Sequence, residues 1–430
     1  MNRTNGKLNI GVFGGGRGRA MIDVLLSHPD ARLVAVCDRY EPLLTKVRKK
    51  ADELGVEVAC YNNFEDFLAH PGLDAVVLAN YATEHATFAI RCLRAGKHVL
   101  SEVLPCETMS QAVELIETVE ETGLVYAYAE NYCYMLHSFE MWKRYRAGEI
   151  GEVKYAEANY FHDCSACWND ITYGERDHWR NRLHPTFYCT HSLGPLMTIT
   201  GLRPRSVVGF EILPPDSILS EGRRAGAGME IVTMENGAVF KSTHGPLKRE
   251  PSLIQFMVYG NKGCMESGQM KEENKKFNLY REGDTVCKGD WEKYDPEYTV
   301  ATEARERSGA KGHGGSDFYP THCFIEKILG REDGDWCIDV YTAVDMGICG
   351  LLAYRSILAG NVSVEIPNLR NREERDAWRH DRACTNPALA GEQLLPTSSI
   401  PELEKGLRDE EYAALRARWV ENHKHDGDEG

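Results

Sequence analysis

No window of this 430-residue chain approaches the roughly 18 apolar residues that a membrane span needs. Its opening residues, MNRTNGKLNIGVFGGG, hold no apolar stretch followed by a small-residue cleavage site. No membrane partner and no secretory leader are therefore expected, and the cytoplasm is the expected location. Positive charge is also scarce: 50 basic residues face 65 acidic ones, a net charge of −15 with no long basic run. A duplex-binding protein needs a basic face to displace counterions, so nucleic acid is not an expected partner. The 14 cysteines lack secreted-scaffold spacing. Scattered through a chain this long, they read as reduced thiols that pack as small hydrophobes. The one local pair, Cys164 and Cys167 in HDCSACW, has no second pair nearby at zinc spacing, so no metal is expected. Internal repeats and low-complexity linkers are absent too.

Present instead is the composition of a globular protein, 42% hydrophobic and 27% charged, long enough for two or three domains. Short apolar runs alternate with helical patterns over the first 130 residues. LNIGVF, LVAVCD, DAVVLAN, KHVLSE and LVYAYAE are bounded by turn residues, and helical segments such as TFAIRCLRAG and MSQAVELIETVEETG lie between them. Uninterrupted apolar strands alternating with helices imply a parallel sheet covered on both faces. After Tyr132 the strands become longer and more polar: VKYAEANYFHD, RSVVGFEIL, GMEIVTMENGAVFKSTH and LIQFMVYGNKG. Alternation from Val153 to Phe161 suits an antiparallel sheet with one solvated face. The expected fold class is α/β, an N-terminal Rossmann parallel sheet followed by an α+β open-faced, mostly antiparallel sheet domain. The expected domains are 1–132, 133–370 and a C-terminal extension, 371–430, ending in one amphipathic helix over IPELEKGLRDEEYAALRARWVEN. That helix is expected to pack across a subunit or onto the body, with disorder the alternative for the last few residues, HKHDGDEG.

The segment GVFGGGRGRAMI sits between the first strand and the first helix. Glycines there let the backbone turn sharply and approach a pyrophosphate, which rests against the unpaired N–H groups of the helix N-terminus. The cofactor-binding candidates are Gly14, Gly16, Arg17 and Gly18. Glycine stands at 18 and Arg19 occupies the third fingerprint position, so the loop is expected to be one residue short. Asp38 ends the second strand, 24 positions after Gly14, where a carboxylate accepts from both ribose hydroxyls and repels a 2′-phosphate. NAD is the expected cofactor. Asn80, ending VVLAN, is expected to line the same cleft.

HATFAIRCLRAGKHVLSE, with His85, Gly96, Lys97, His98 and Glu102, resembles the fourth strand and flanking helix of the glucose–fructose oxidoreductase / inositol dehydrogenase family (Gfo/Idh/MocA). The likeness spans roughly residues 7 to 370. Ordinary dehydrogenases of that family carry Glu-Lys-Pro here, the lysine helping to move the proton of the hydroxyl being oxidised. This chain has Glu102-Val103-Leu104-Pro105. Four further segments resemble one branch, the NAD-dependent glycosidases of glycoside hydrolase family 109 (α-N-acetylgalactosaminidase type), which shares the Glu-Val. They are AENYCY (Glu130, Asn131), the strand ending Tyr160-Phe161-His162-Asp163, WRNRLHPTFYCTHSLGPL (Trp179, Arg180, Tyr188, His191) and GHGGSDF (His313, Asp317). Ser192 replaces a family glycine. The insert CSACWNDITYGERDH and the tail after Arg370 have no counterpart, and such inserts usually line a pocket that sets specificity.

The resemblance implies a redox-elimination route. NAD+ takes hydride from C3 of a sugar, the ketone acidifies C2–H, a base removes that proton and the C1 substituent departs. Water then adds and the hydride returns. Tyr188 and His191, three apart, are the expected proton-transfer pair, in an order left open. His162 is the third catalytic candidate, near the sugar or leaving group. His85, Glu102, Asn131, Trp179 and Arg180 join the cofactor set, and Glu130, Tyr160, Asp163 and His313 are the expected substrate contacts. The expected partner is a glycoside, with a homo-oligomer expected because open-faced sheets pair in this family. Alternatives are an NAD-dependent sugar or polyol dehydrogenase, a keto-sugar lyase or hydratase, or a sugar or nucleotide sensor.

Overall fold

The computed structural model describes residues 6–268, 276–285, 288–309 and 312–424. The last residues of HKHDGDEG, 425–430, lie outside the described residues. Six parallel strands form the first sheet: β1 (Leu8–Phe13), β2 (Ala31–Cys37), β3 (Ala59–Tyr61), β4 (Ala75–Leu78), β5 (His98–Ser101) and β6 (Tyr126–Tyr128). Their order is β3-β2-β1-β4-β5-β6. The strand order reverses between β1 and β4, and a crevice opens there at the carboxyl ends. Every residue of β4, β5 and β6 is buried, as helices on both faces demand. The helix Met109–Thr122 is set by Thr108, whose hydroxyl accepts from the Gln111 N–H, and it ends at Gly123 in the left-handed region.

The second sheet has nine strands: β7 (Val153–Phe161), β8 (Pro204–Ile212), β9 (Ala227–Met234), β10 (Val239–Gly245), β11 (Leu253–Gly260), β12 (Gly263–Ser267), β13 (Phe277–Thr285), β14 (Lys288–Tyr294) and β15 (Val364–Glu365). Their order is β14-β13-β12-β11-β7-β10-β9-β8-β15, and all pairings are antiparallel except β7 with β10. Position 132 falls inside the short helix Asn131–Tyr134 between the two sheets, and 370 lies beyond the last strand. On β7, Ala156 and Ala158 are fully buried toward the covering helices, Thr190–Thr200 and Val340–Leu358. Tyr155 and Glu157 lie on the other face, where Glu157 pairs with Lys241 at 2.8 Å.

The helix Val340–Leu358 corrects one sequence expectation. The stretch 332–358 is long and apolar enough to cross a membrane by length and composition. In this fold it is a core element instead, with most of it buried between the two sheets. The Tyr128 N–H at the end of β6 donates to the Ile338 carbonyl just before it, and Ser356 near its end accepts from the Gly209 N–H of β8. Every described cysteine is free, Cys164 and Cys167 included.

The C-terminal extension also departs from expectation. The single amphipathic helix is two, Pro401–Glu404 and Asp409–Asn422, broken around Gly406. The second packs onto the body through buried Tyr412 and Leu415, and Arg416 donates to the Tyr173 carbonyl. Upstream, fully buried Arg375 clamps the extension to the helix Met109–Thr122. Its two Nη groups reach Glu120 at 2.9 and 2.5 Å and its Nε reaches the Leu369 carbonyl at 2.7 Å. The Arg375 hydrogen bonds, outweighing burial, hold Glu120 down at about 2. Removing one partner of a buried pair typically costs about 3 to 5 kcal/mol. Arg375→Met is therefore expected to lower the thermal midpoint at neutral pH. Because Glu120 is depressed in the folded state, its share of stability is present above its ordinary range and lost as pH falls toward 2. The gap between wild type and variant should narrow over that acid window, as followed by thermal melts.

Candidate active site

The glycine loop shows why each of its residues stands where it does. Gly14, at φ +102°, donates its N–H to the Cys37 carbonyl, and a Cβ there would lie 2.4 Å from the Ala79 backbone. A Cβ on Gly18 would lie 2.2 Å from the Gly14 carbonyl and 2.7 Å from Val12. The helix Arg19–Ser27 starts directly after it. Gly18 thus makes the close helix–strand contact expected of the third fingerprint glycine, one residue early. Gly16 is not sterically required, since a Cβ there meets only Leu43 at 3.8 Å. Asp38 faces the loop from the end of β2, its Oδ2 accepting from the Gly15 N–H at 2.6 Å and its Oδ1 from the Tyr40 N–H at 2.8 Å. Asn80 closes the crevice at the end of β4, where its Nδ2 donates to Glu84 while its buried Oδ1 has no partner among the described residues. A tight turn that admits no Cβ, a carboxylate at the ribose position and an orphaned amide oxygen fit a dinucleotide.

Arg17 reaches out of this loop. Its guanidinium pairs with Glu102 at 2.7 Å and with both oxygens of Asp317 at 3.3 Å. Asn131 donates to Asp317 at 2.9 Å and His313 to the same carboxylate at 3.0 Å. Burial pushes Asp317 up, but His313 and Arg17 outweigh it and hold the carboxyl well below its usual range. Burial keeps Glu102 raised, partly offset by Arg17. Arg17, Asn131 and His313, drawn from three segments, therefore meet on Asp317, and Arg17 joins that carboxylate to Glu102.

His191 lies in the first turn of the helix Thr190–Thr200, with Nδ1 at 2.9 Å from both oxygens of fully buried Glu130. A carboxylate only accepts, so Nδ1 carries the proton and Nε2 is the accepting nitrogen. Three tyrosine rings surround the imidazole, Tyr132, Tyr160 and Tyr188, with centroids 4.5, 5.0 and 4.9 Å away. Tyr188 ends a short turn, Pro185–Tyr188, and stacks on Trp179, which in turn lies under Arg180 at 4.3 Å. Burial raises the Tyr188 hydroxyl above its ordinary value. Tyr160 near the end of β7 and His162 just after it join through the hydroxyl and Nδ1 at 2.9 Å. Burial, then the charges of His191 and His313, lowers His162, so it is neutral near pH 7.

Two expected ligand contacts have other partners. Glu130, expected on the substrate, is sealed behind His191. Asp163 is held by Lys248 at 2.6 Å and by Ser165, because it sits where β7 ends against the loop after β10. His85 is 1% exposed beneath the β5 loop, burial lowers it to about 4, and neither ring nitrogen has a hydrogen-bond partner among the described residues. Sequence reasoning missed the layer behind the cleft. Ser192, standing where the family has glycine, bonds Ser242 at 2.8 Å, Ser242 bonds Glu230 at 2.8 Å, and Glu230 holds His244 at 2.9 Å. His184 stacks on Tyr354 at 3.6 Å and meets Glu211 at 3.4 Å, while Ser398 and Ser399 of the tail bond Glu211 from the far side. Cys164 and Trp168 of the unmatched insert line the cleft. Among the described residues, one other cluster has metal-ligating side chains, His322, Glu326 and Asp333. There Arg331 already pairs with Glu326, and His322 bonds Asp333 at 2.9 Å.

Comparison with known proteins bears on this geometry. Residues 8–130 match the oxidoreductase family with an NAD-binding Rossmann fold (Gfo/Idh/MocA), and residues 228–376 match the glycosyl hydrolase 109 C-terminal domain. The chain carries a Gfo/Idh/MocA NAD-binding domain together with a glycosyl hydrolase 109 C-terminal domain. It is an NAD-dependent enzyme. A glycosyl hydrolase family 109 protein of Solibacter usitatus is 25% identical over 405 residues, 85% of this chain and 89% of that one. An alpha-N-acetylgalactosaminidase of Shewanella oneidensis is 22% identical over 404 residues, covering 87% and 86%. Among solved structures, a levoglucosan dehydrogenase in complex with NADH and L-sorbose aligns with TM-score 0.67 at 17% identity, covering 84% of this chain and 99% of that one. An NAD-binding oxidoreductase of Klebsiella pneumoniae aligns with TM-score 0.65 at 16% identity, covering 84% and 99%. These structural likenesses speak to the fold. Tyr160, His162, Tyr188 and His191 all lie between the two matched segments.

With the Gly14 turn closed against Ala79, Gly14→Ala should weaken NAD+ binding by at least ~10-fold, about 1.4 kcal/mol. Titration calorimetry on protein stripped of nucleotide checks this, and NADP+ should bind the wild type more weakly than NAD+ because Asp38 repels a 2′-phosphate.

Proposed function

We propose that this enzyme is a glycosidase that cleaves its substrate by transient oxidation at C3, loss of the C2 proton, elimination of the C1 substituent, addition of water and re-reduction. The His191–Glu130 pair flanked by Tyr188, together with Val103 at the sequence position where dehydrogenases of the family carry lysine, carries this reading. When bound, NAD+ supplies a reversible hydride acceptor for one ring carbon. Gly14, Gly18, Asp38 and Asn80 would hold it. The chain's own task is then proton handling. A hydroxyl becoming a ketone gives up one proton and the neighbouring carbon a second, and both must be returned.

His191 accepts through Nε2, with Glu130 fixing its tautomer and stabilising the positive charge that forms. Tyr188, protonated at neutral pH, is the donor half of the pair. Packed tyrosine rings keep bulk water from the imidazole, which shields the enone formed as the C1 substituent departs from stray addition. Neutral His162, fed by the Tyr160 hydroxyl, is positioned to pass a proton to the departing oxygen. The uncovered face of the second sheet, with Tyr155 and Tyr259, is proposed as the surface for self-association, and the cytoplasm as the location, in keeping with its free thiols.

An aryl-glycoside panel, an α-N-acetylgalactosaminide among its members, run with and without NAD+ in deuterated solvent, tests the route. Many turnovers per cofactor, no net NADH and deuterium at C2 are expected. Stoichiometric NADH without C2 exchange would instead mark a sugar dehydrogenase, the reading that the solved structures of similar fold keep open. His191→Gln and Tyr188→Phe should each lower kcat by about 10²- to 10⁴-fold, with the double variant little worse than either. Glu130→Gln should act through His191, lowering kcat while leaving KM nearly unchanged.

A further inference from the structure

The wall of the cleft carries an unbalanced charge. Two arginines and three histidines line it (Arg180, Arg223, His162, His184 and His244), and no aspartate or glutamate does. The acids nearest to it are already committed. Asp163 is held by Lys248, Glu211 by His184 and the tail serines, and Glu230 by His244. No carboxylate lies within 4 Å of the Arg180 or Arg223 guanidinium among the described residues. Elsewhere the chain pairs its arginines readily, as Arg17, Arg144, Arg281 and Arg375 show.

Arg223 is held rather than loose. Its Nε donates to the Ala225 carbonyl at 2.8 Å and its Nη2 to the Gly226 carbonyl at 3.3 Å, while the Trp168 ring backs it at 4.8 Å. Those contacts use one edge of the fork and leave Nη1 without a hydrogen-bond partner among the described residues. Carbonyls and an aromatic face orient a guanidinium but do not neutralise it. Burial, reinforced by the like charge of Arg180, pulls Arg223 down to about 10, so it stays cationic at neutral pH. A desolvated cation without a counter-ion is costly to keep, and a bound anion removes that cost.

We propose that this wall is an anion subsite, and that the glycoside this enzyme accepts carries a carboxylate or a sulfate ester that meets Arg223, with Arg180 beside it. The inference rests on the glycosidase reading for turnover but not for binding. A planar fork suits either oxyanion, and the group sits on the sugar or its leaving group within reach of Tyr188 and His162, which share the cleft. Trp168 and Arg223 come from an insert and a loop outside the motifs named above, whereas Arg180 belongs to one of them.

The test uses the NAD+-loaded full chain with three 4-nitrophenyl substrates of one sugar: the hexoside, its 6-carboxylate (the hexuronide) and its 6-O-sulfate. At least one anionic substrate should exceed the neutral one in kcat/KM by about 10- to 100-fold, the effect of a hydrogen bond to a charged group. The two anionic arms identify which oxyanion is favoured. That preference should shrink with added sodium chloride, collapse in Arg223→Gln and return in part in Arg223→Lys, with thermal midpoints confirming that both variants fold. Binding of the free hexuronate and the sulfated hexose, read by Trp168 and Trp179 fluorescence, needs no turnover. Anion binding that depends on Arg223 without cleavage of any substrate would sink the glycosidase reading and keep the subsite. Equal or better cleavage of the neutral hexoside, or an anion preference untouched by Arg223→Gln, would overturn the subsite and keep the glycosidase. Absence of both anion binding and anion preference likewise overturns it.

Discussion

One buried ion cluster ties the functional parts of this molecule together. Arg17 leaves the glycine loop, Glu102 follows β5, and Asp317 opens the helix Phe318–Leu329, yet the three meet within 3.3 Å. Two carboxylates this close would repel each other if left alone, and the guanidinium between them is what makes their approach tolerable. Asn131 and His313 satisfy the remaining lone pairs on Asp317. The consequence is mechanical as well as electrostatic. A loop shaped for a pyrophosphate is bolted to the polypeptide that closes the sugar side, so the cofactor crevice and the tyrosine-walled cleft hold a fixed spacing. Hydride chemistry tolerates little error in such distances.

Around that anchor the site is layered. His191 meets the cleft while Glu130 stays sealed behind it, and His244 meets the cleft while Glu230, Ser242 and Ser192 stand behind. The same device, an imidazole at the surface with a buried carboxylate at its back, occurs twice. Each buried carboxylate is acceptable because its oxygens are occupied. Ser192 illustrates how a departure from a family pattern can be structural. In place of glycine it adds a hydroxyl that completes the Glu230 chain.

The first sheet was legible because strands buried on both faces have no choice but to be apolar throughout. LNIGVF and DAVVLAN announce themselves for that reason. Ala59–Tyr61 does not, since three residues cannot show a period. β12 to β14 were invisible for another reason. FNLYREGDT and KGDWEKY form a ribbon toward the sheet edge, where Trp291 is 57% exposed and polar residues fill the alternation. The long helix before β15 was legible from its pattern, and its apolar length reflects burial between two sheets. In the site, motif likeness drew attention to Tyr188, His191, Tyr160 and His162, but only the folded chain tells which groups touch. Glu130 is 61 residues from His191 and carries no mark of burial in AENYCY. Arg223 stands among polar loop residues, where an arginine looks unremarkable until its lack of a carboxylate partner is seen. The glycine at 18 rather than 19 was readable as a shortened loop, and the steric reason is its approach to the Gly14 carbonyl.

The grip of Ser398 and Ser399 on Glu211 has an evolutionary reach. Glu211 steadies His184, and His184 forms part of the cleft wall, so the last stretch of the polypeptide shapes a surface that it never itself touches. Homologues whose endings differ would seat that imidazole differently even if every ligand-facing side chain were identical. Ligand choice among such proteins can therefore drift through their tails, and a comparison confined to pocket residues would miss the cause.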